Sequence, residues 1–212
     1  MTTGWIAGHW HRTLAHVAGL APLAVLAVDW LRGALLPDPN RYLLLLSGSA
    51  GLLLLIAALA CTPLNIVLGW RQAVQIRRTL GLYAFLYVSL HLLCYAVFDG
   101  LLDAELIWRD LGERPSMLAG FLAFLALVPL ALTSTSGWQR RLGRRWRTLH
   151  RLVYPAALLS ALHFLWLERD YIQEAVVYAV VIGALLVIRL PWVRRAIVRG
   201  RARFTRPPVV QR

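Results

Sequence analysis

The sequence predicts an all-α fold, a polytopic membrane helix bundle of six transmembrane helices with both termini on the cytoplasmic side. Apolar residues make up 59% of the 212 residues, and the mean hydropathy is +0.60. A soluble core of this size cannot bury so much apolar surface. Charged residues are only 16% of the chain and cluster between apolar runs, as in multi-pass membrane proteins.

Six apolar runs each approach the ~20 residues that cross ~30 Å of hydrocarbon. They are residues 13–31, 43–62, 79–98, 117–133, 148–167 and 172–190. Pro129 should kink the fourth run and Pro155 the fifth, because proline removes a helical hydrogen bond. Residues 1–192 form the predicted membrane domain. Residues 193–212 form a basic cytoplasmic tail, expected to lie on the surface or to be disordered.

Charge segregation predicts the orientation. Arginines crowd the connections at 63–78 and 134–147 and the tail, so by the positive-inside rule these segments face the cytoplasm. All ten acidic residues fall on the opposite side: Asp29, Asp38, Asp99, Asp103, Glu105, Asp110, Glu113, Glu168, Asp170 and Glu174. The net charge of +13 therefore reflects the topology. Membrane lipids are expected partners, and no nucleic-acid partner is expected. His9 and His11, ahead of the first span, are expected to be exposed.

Histidines within the apolar runs are the candidate functional residues, because an imidazole is costly to bury in hydrocarbon without a partner. By helical rise, His91 lies about 20 Å beyond Arg78, and His163 lies about 24 Å beyond Arg147. The two histidines therefore lie at similar depth, nearer the outer face. Such a pair on facing helices can clamp one haem iron. The alternative is that each histidine only hydrogen-bonds a neighbouring carbonyl.

His150 lies near the cytoplasmic end of its span and is a candidate ligand of a second, inner haem. Its candidate partner is His16, which lies at a matching depth in the first span; alternatively, His16 is an ordinary interfacial histidine. No Cys-x-x-Cys-His motif is present, so covalent c-type attachment is excluded and one or two b-type haems are expected.

Several inner arginines are placed to bind anionic haem propionates or flavin phosphates. They are Arg77, Arg78, Arg144, Arg145 and Arg147. The positive-inside rule is the alternative explanation for these residues.

Two stretches resemble a known family. The first runs from Arg77-Arg78-Thr79-Leu80-Gly81-Leu82 to Ser89-Leu90-His91-Leu92. The second contains Leu132-Thr133-Ser134-Thr135-Ser136, Leu149-His150-Arg151-Leu152-Val153-Tyr154 and His163-Phe164-Leu165-Trp166. Together they resemble the MsrQ family, the membrane haem subunits of a bacterial methionine sulfoxide reductase system. That family belongs with the ferric-reductase-like transmembrane proteins.

The resemblance implies an electron-transfer subunit in the bacterial inner membrane rather than a catalytic subunit. Such subunits bind b-type haem, and FMN has been associated with them. They pass electrons from quinol or a cytoplasmic flavin reductase to MsrP, a periplasmic molybdopterin enzyme that reduces methionine sulfoxide in oxidised proteins. The resemblance places the family's ligands at His91, His150 and His163.

Two other function classes remain open from the sequence. One is a self-contained transmembrane ferric or quinone reductase that needs no MsrP. The other is a transporter whose histidines line a proton path, which predicts a colourless protein.

Overall fold

The computed structural model describes residues 2–167 and 172–205, which contain helices and no strand. The helices are α1 (Thr2–Leu31), α2 (Pro39–Leu68), α3 (Arg71–Cys94), α4 (Ala104–Glu113), α5 (Pro115–Leu132), α6 (Ser136–Leu142), α7 (Arg144–Leu149), α8 (Val153–Leu167), α9 (Ile172–Val187) and α10 (Pro191–Thr205). A π-helical turn at Tyr95–Asp99 follows α3, and a 3₁₀ turn at His150–Leu152 precedes α8. The predicted all-α class is confirmed over these residues.

Local signals in the sequence account for the ends of α2. The Asp38 carboxylate accepts the backbone N–H of Arg41 at 3.0 Å, and Pro39 occupies the first turn, where its missing N–H costs nothing. At the other end Gly69 adopts a left-handed conformation with φ of 73°. Its N–H donates to the carbonyl of Asn65, which closes the last turn.

Two helix pairs form the centre of the bundle. α2 packs along α3 and α5 packs along α8, whereas contacts between the two pairs are sparse. Small buried residues such as Ala84, Ala156 and Ala157 face the packed interior. α1 packs on α3, and α9 packs on α8. The arrangement leaves a slot between the pairs, and the candidate site lies in that slot.

Four helical segments are each long and apolar enough to cross a membrane, and they match the first four predicted spans. They are Trp10–Leu31, Pro39–Leu68, Arg71–Asp99 and Pro115–Leu132. The fifth predicted span is interrupted, and its apolar part, α8, has only 15 residues. The sixth corresponds to α9, which bends by 75° into α10, so the described residues hold four or five candidate spans. Glu168, Arg169 and Asp170 of the predicted outer connection lie outside the described residues.

The expected role of Pro155 differs from the observed one. α8 begins at Val153, so Pro155 lies in its first turn, where N–H groups have no intrahelical acceptor. The break in the predicted span falls earlier, at the 3₁₀ turn His150–Leu152.

The described part of the tail, which was expected to lie on the surface or to be disordered, is a helix with largely exposed side chains. The tail is helical through Thr205, and Arg201 donates to the carbonyl of Asn65 at 3.4 Å, which ties α10 to the end of α2. The remaining residues, 206–212, lie outside the described part of the chain.

His11 was expected to be exposed but is buried, because α1 packs on α3 and His11 Nε2 donates to Gln75 Oε1 at 2.9 Å. The side chain of His9 lies outside the described residues.

Candidate functional site

His91 and His163 approach each other across the slot between the helix pairs. Their ring centroids are 6.2 Å apart, and the ring planes are nearly perpendicular, at 81°. Two metal–nitrogen bonds of about 2.0 Å, with about 1 Å from each nitrogen to its ring centre, separate two axial imidazoles by about 6 Å. The observed spacing therefore fits two ligands of one iron.

Hydrogen bonds fix the tautomer of both rings. His91 Nδ1 lies 2.9 Å from the carbonyl oxygen of Leu44 on α2, and His163 Nδ1 lies 2.7 Å from that of Ser116 on α5. A carbonyl oxygen only accepts, so each Nδ1 carries the proton and donates. The lone pair of each ring is then on Nε2. Ligating histidines typically show this arrangement, because the second hydrogen bond orients the ring.

A glycine supports each histidine. A Cβ at Gly48 of α2 would lie 2.9 Å from His91 Nδ1, and a Cβ at Gly120 of α5 would lie 2.7 Å from His163 Nδ1. Both distances are too short for a side chain, so only glycine lets the ring lie against the neighbouring helix. The two halves share one pattern, since each accepting carbonyl precedes its histidine by 47 residues.

The space around the two histidines is an apolar cavity, called here the outer cavity. It has a volume of about 190 Å³ and no charged residue among its described lining side chains. Its walls come from α2, α3, α5 and α8, with α4 and α9 closing the sides. The aromatic walls include Phe121, Phe124 and Phe164. An apolar slot with two imidazoles and no counter-charge suits a porphyrin ring.

A second cavity, the inner cavity, lies towards the other end of the same slot. It has a volume of about 430 Å³, and five arginines but no acidic residue line it. The arginines are Arg77, Arg78, Arg147, Arg151 and Arg189. Leu55 lines both cavities, and Phe85 of the inner cavity stacks on Phe124 of the outer one at 5.8 Å.

His150 lies in the inner cavity and is the only histidine among its described lining residues. Its ring lies over Trp146 with centroids 3.9 Å apart, and Nε2 lies 3.2 Å from Thr133 Oγ1. The Thr133 hydroxyl donates to the carbonyl of Pro129 at 2.6 Å, so Nε2 of His150 is the donor in its own contact. Ligation through this nitrogen would require His150 to release Thr133.

The remaining predicted site residues do not join these cavities. His16 is exposed on α1, and its Nδ1 contacts the Tyr83 hydroxyl at 3.1 Å. Arg144 is exposed on α7 and, like His16, is absent from the lining of the inner cavity. The structure therefore brings His150 together with Arg77, Arg78 and Arg147, but not with His16 or Arg144.

Sequence patterns did not single out Arg189. Its guanidinium donates to the hydroxyl of Tyr154 at 3.4 Å and to the carbonyl of Leu59, and it lies 5.5 Å from the Tyr154 ring centroid. Its Nε is buried without a hydrogen-bond partner in the described structure. Its position could have marked it from the sequence, because an arginine within an apolar run is a candidate functional residue by default. Gly48 and Gly120 gave no comparable signal.

Comparisons with known proteins agree on one family. Residues 47–161 match the ferric reductase like transmembrane component family. The chain is 43% identical over 186 residues, 87% of this chain and 89% of the relative, to the protein-methionine-sulfoxide reductase heme-binding subunit MsrQ of Rhodospirillum rubrum. It is 41% identical to the MsrQ subunit of Xanthomonas euvesicatoria over 203 residues, 93% of each chain. No solved structure matches.

Proposed function

This chain belongs to the MsrQ family within the ferric-reductase-like transmembrane components, and we propose on that basis that it is a b-type cytochrome subunit. It conducts electrons across a bacterial inner membrane to a periplasmic methionine sulfoxide reductase. The observation that carries the proposal is the His91–His163 pair, whose 6.2 Å spacing fits one bis-histidine iron. MsrQ relatives are named haem-binding subunits, which agrees with that geometry.

The residues of the outer cavity would hold the haem. His91 and His163 would hold it through Nε2, while their Nδ1–H groups stay bound to carbonyls on α2 and α5. The apolar walls favour binding of a porphyrin without covalent attachment. A bound haem supplies reversible one-electron chemistry, and the protein tunes its potential through ligand identity, hydrogen bonding and burial.

The inner cavity is the proposed site of an anionic cofactor, either a second b-type haem or FMN. Five arginines with no lining carboxylate match propionate or phosphate groups, which guanidinium binds in a bidentate manner. His150 and Trp146 offer a ligand or a stacking surface there. The shared Leu55 wall and the Phe85–Phe124 stack connect the two cavities, so cofactors bound in both would lie close along one slot.

The proposed orientation has six spans, with the inner cavity facing the cytoplasm and both termini inside. It rests on the arginines that line the inner cavity and on the acidic residues of α4 beside the outer cavity. The positive-inside rule assigns the arginine-rich end to the cytoplasm.

Reporter fusions test this orientation. A reporter fused after Gly112 should be active only in the periplasmic assay, and one fused after Gly143 only in the cytoplasmic assay. The reason is that the acidic and arginine-rich connections lie on opposite sides of the membrane. Cytoplasmic activity of the Gly112 fusion would overturn the proposed orientation.

Electrons are proposed to enter near His150 from quinol or a cytoplasmic flavin reductase and to leave near the His91–His163 pair. The partner is proposed to be a periplasmic molybdopterin-containing reductase of the MsrP type. The outer connection from Asp99 to Glu113 is its proposed docking segment, because its acidic groups complement a basic patch. Reduction of a methionine sulfoxide consumes two electrons and two protons and yields methionine and water.

A reconstituted system tests the electron route. Membranes containing the protein are reduced by quinol or by flavin reductase with its reductant, and the haem spectrum is then followed. Adding the periplasmic reductase and methionine sulfoxide should reoxidise the haem and consume the sulfoxide. The same mixture without sulfoxide is the control. In this control, reoxidation of the haem should stop once the partner is fully reduced.

Other outcomes would favour other functions. A haem that stays reduced with partner and sulfoxide present would contradict the proposed function. Rapid reoxidation by ferric iron, with no effect of the partner, would favour a self-contained reductase. A purified protein without visible absorption would favour a transporter.

A further inference from the structure

The outer cavity is closed on one side by the short helix α4, which is amphipathic. Ile107 and Leu111 of α4 line the cavity, whereas Trp108 on the other face is 76% exposed. Asp103 caps the helix by accepting the N–H of Glu105 at 2.8 Å and that of Leu106. α4 also packs against α5. It is therefore a preformed wall between the cavity and the acidic face of this connection.

The connection from α3 to α4 is strained. α3 passes into a π-helical turn at Tyr95–Asp99, and Leu101 and Leu102 then both have positive φ, 49° and 57°. Leucine rarely adopts this conformation, because its Cβ crowds the backbone. Strained residues persist only where surrounding contacts hold them, and π-helical turns occur frequently at functional sites.

A side-chain hydrogen bond joins the wall to the end of the helix that carries His91. Tyr95 lies four residues after His91, is 9% exposed and lines the outer cavity. Its hydroxyl donates to Asp110 Oδ2 of α4 at 2.8 Å. The other carboxylate oxygen of Asp110 lies 3.5 Å from Arg114 Nε, and the Asp110 side chain is only 14% exposed. Asp110 is thus held between a buried tyrosine and a surface arginine.

We propose that the Tyr95–Asp110 hydrogen bond latches α4 over the outer cavity, and that Asp110 is a positioning residue which shields the haem site from water-soluble oxidants. The inference rests on the proposed function in one respect, namely that the outer cavity holds the haem. Shielding matters because the surrounding shell controls solvent access and hence the redox behaviour of a metal site. It would also restrict electron exit to a partner that docks on α4.

The test compares variants that break the latch with variants that keep it. Tyr95→Phe removes the donor but keeps the ring, and Asp110→Ala removes the acceptor. Asp110→Asn keeps an acceptor oxygen and should behave like the unaltered protein. Glu113→Ala removes an exposed acid from the same helix and controls for the lost charge. Retention of the Soret band shows that each variant is folded and loaded.

Two measurements follow on the purified holoprotein. Hydrogen exchange of peptides covering α4 should quicken severalfold in Tyr95→Phe and Asp110→Ala, with no change in peptides covering α9. Reoxidation of dithionite-reduced haem by ferricyanide should also quicken severalfold in those two variants only.

Unchanged α4 exchange in both latch variants would overturn the latch, and faster exchange without faster oxidation would overturn the shielding role. If Asp110→Asn behaved like Asp110→Ala, the Tyr95 hydrogen bond would not be what holds α4, and this too would overturn the latch. Because α4 exchange can be measured without haem, it tests the latch even if the protein proves to bind none. A missing Soret band in the unaltered protein would instead contradict the proposed function.

Discussion

Replacing His91 with alanine is expected to remove one equivalent of haem per chain from the purified protein. The substitution removes one of the two proposed ligand nitrogens, and His163 is then the only histidine left among the described residues that line the outer cavity. His163→Ala should have the same effect, because the two imidazoles lie 6.2 Å apart and would hold the same iron. The measurement is the haem-to-protein ratio together with the Soret band.

His16→Ala is the matched control, since His16 is an exposed histidine whose described hydrogen bond and ring contact are both to Tyr83. This variant should retain the full haem-to-protein ratio.

His150→Ala should lose a second equivalent of haem only if the inner cavity also binds haem, so this variant tells whether the protein holds one haem or two. Unaltered spectra in both His91→Ala and His163→Ala would contradict the proposed ligation. Electron paramagnetic resonance adds a check, because near-perpendicular imidazole planes predict a strongly anisotropic low-spin ferric signal.

Gly120→Ala is expected to weaken haem binding about 10- to 100-fold, the usual effect of disturbing the groups that orient a ligand. The new methyl carbon would lie 2.7 Å from His163 Nδ1, so the ring must move and its hydrogen bond to Ser116 must lengthen or break. Gly48→Ala makes the same test on His91, because the new methyl carbon would lie 2.9 Å from His91 Nδ1. The measurement is haemin titration of the apoprotein in detergent.

Gly183→Ala is the matched control for these substitutions. Gly183 lies within α9, also a predicted span, and a Cβ there meets nothing within 4 Å. It should bind haem as tightly as the unaltered protein. If Gly120→Ala and Gly48→Ala bind haem as tightly as Gly183→Ala, the proposed backbone support of the two ligands is wrong.

The depth of each histidine was predictable from the sequence because helical rise converts residue number into distance. Counting from the inner arginines placed His91 and His163 at one level, and the structure brings their rings within 6.2 Å. The same counting placed His16 level with His150, but the structure directs His16 towards Tyr83 instead. Rise predicts depth alone, whereas contact also depends on the direction in which a side chain leaves its helix.

For the arginines, too, the sequence predicted the level in the bundle but not which side chains reach the cavity. The inner arginines were predicted to bind an anionic cofactor, and Arg77, Arg78 and Arg147 all line the inner cavity. Arg144 was predicted with them but points elsewhere from the short helix α7. Arg189 joins the cavity because α9 ends just before it and the chain turns by 75° into α10. The direction of that turn is not encoded in hydropathy.

The sequence by itself determined the all-α class, the family and the depth of the histidines, because apolar composition and residue count are properties of one segment at a time. The tertiary structure decided which faces meet: the pairing of α2 with α3 and of α5 with α8, the glycines behind the two imidazoles, and the closure of the outer cavity by α4. These features depend on rotation about each helix axis, where one residue changes direction by about 100°. Only the packing of side chains between helices selects that rotation.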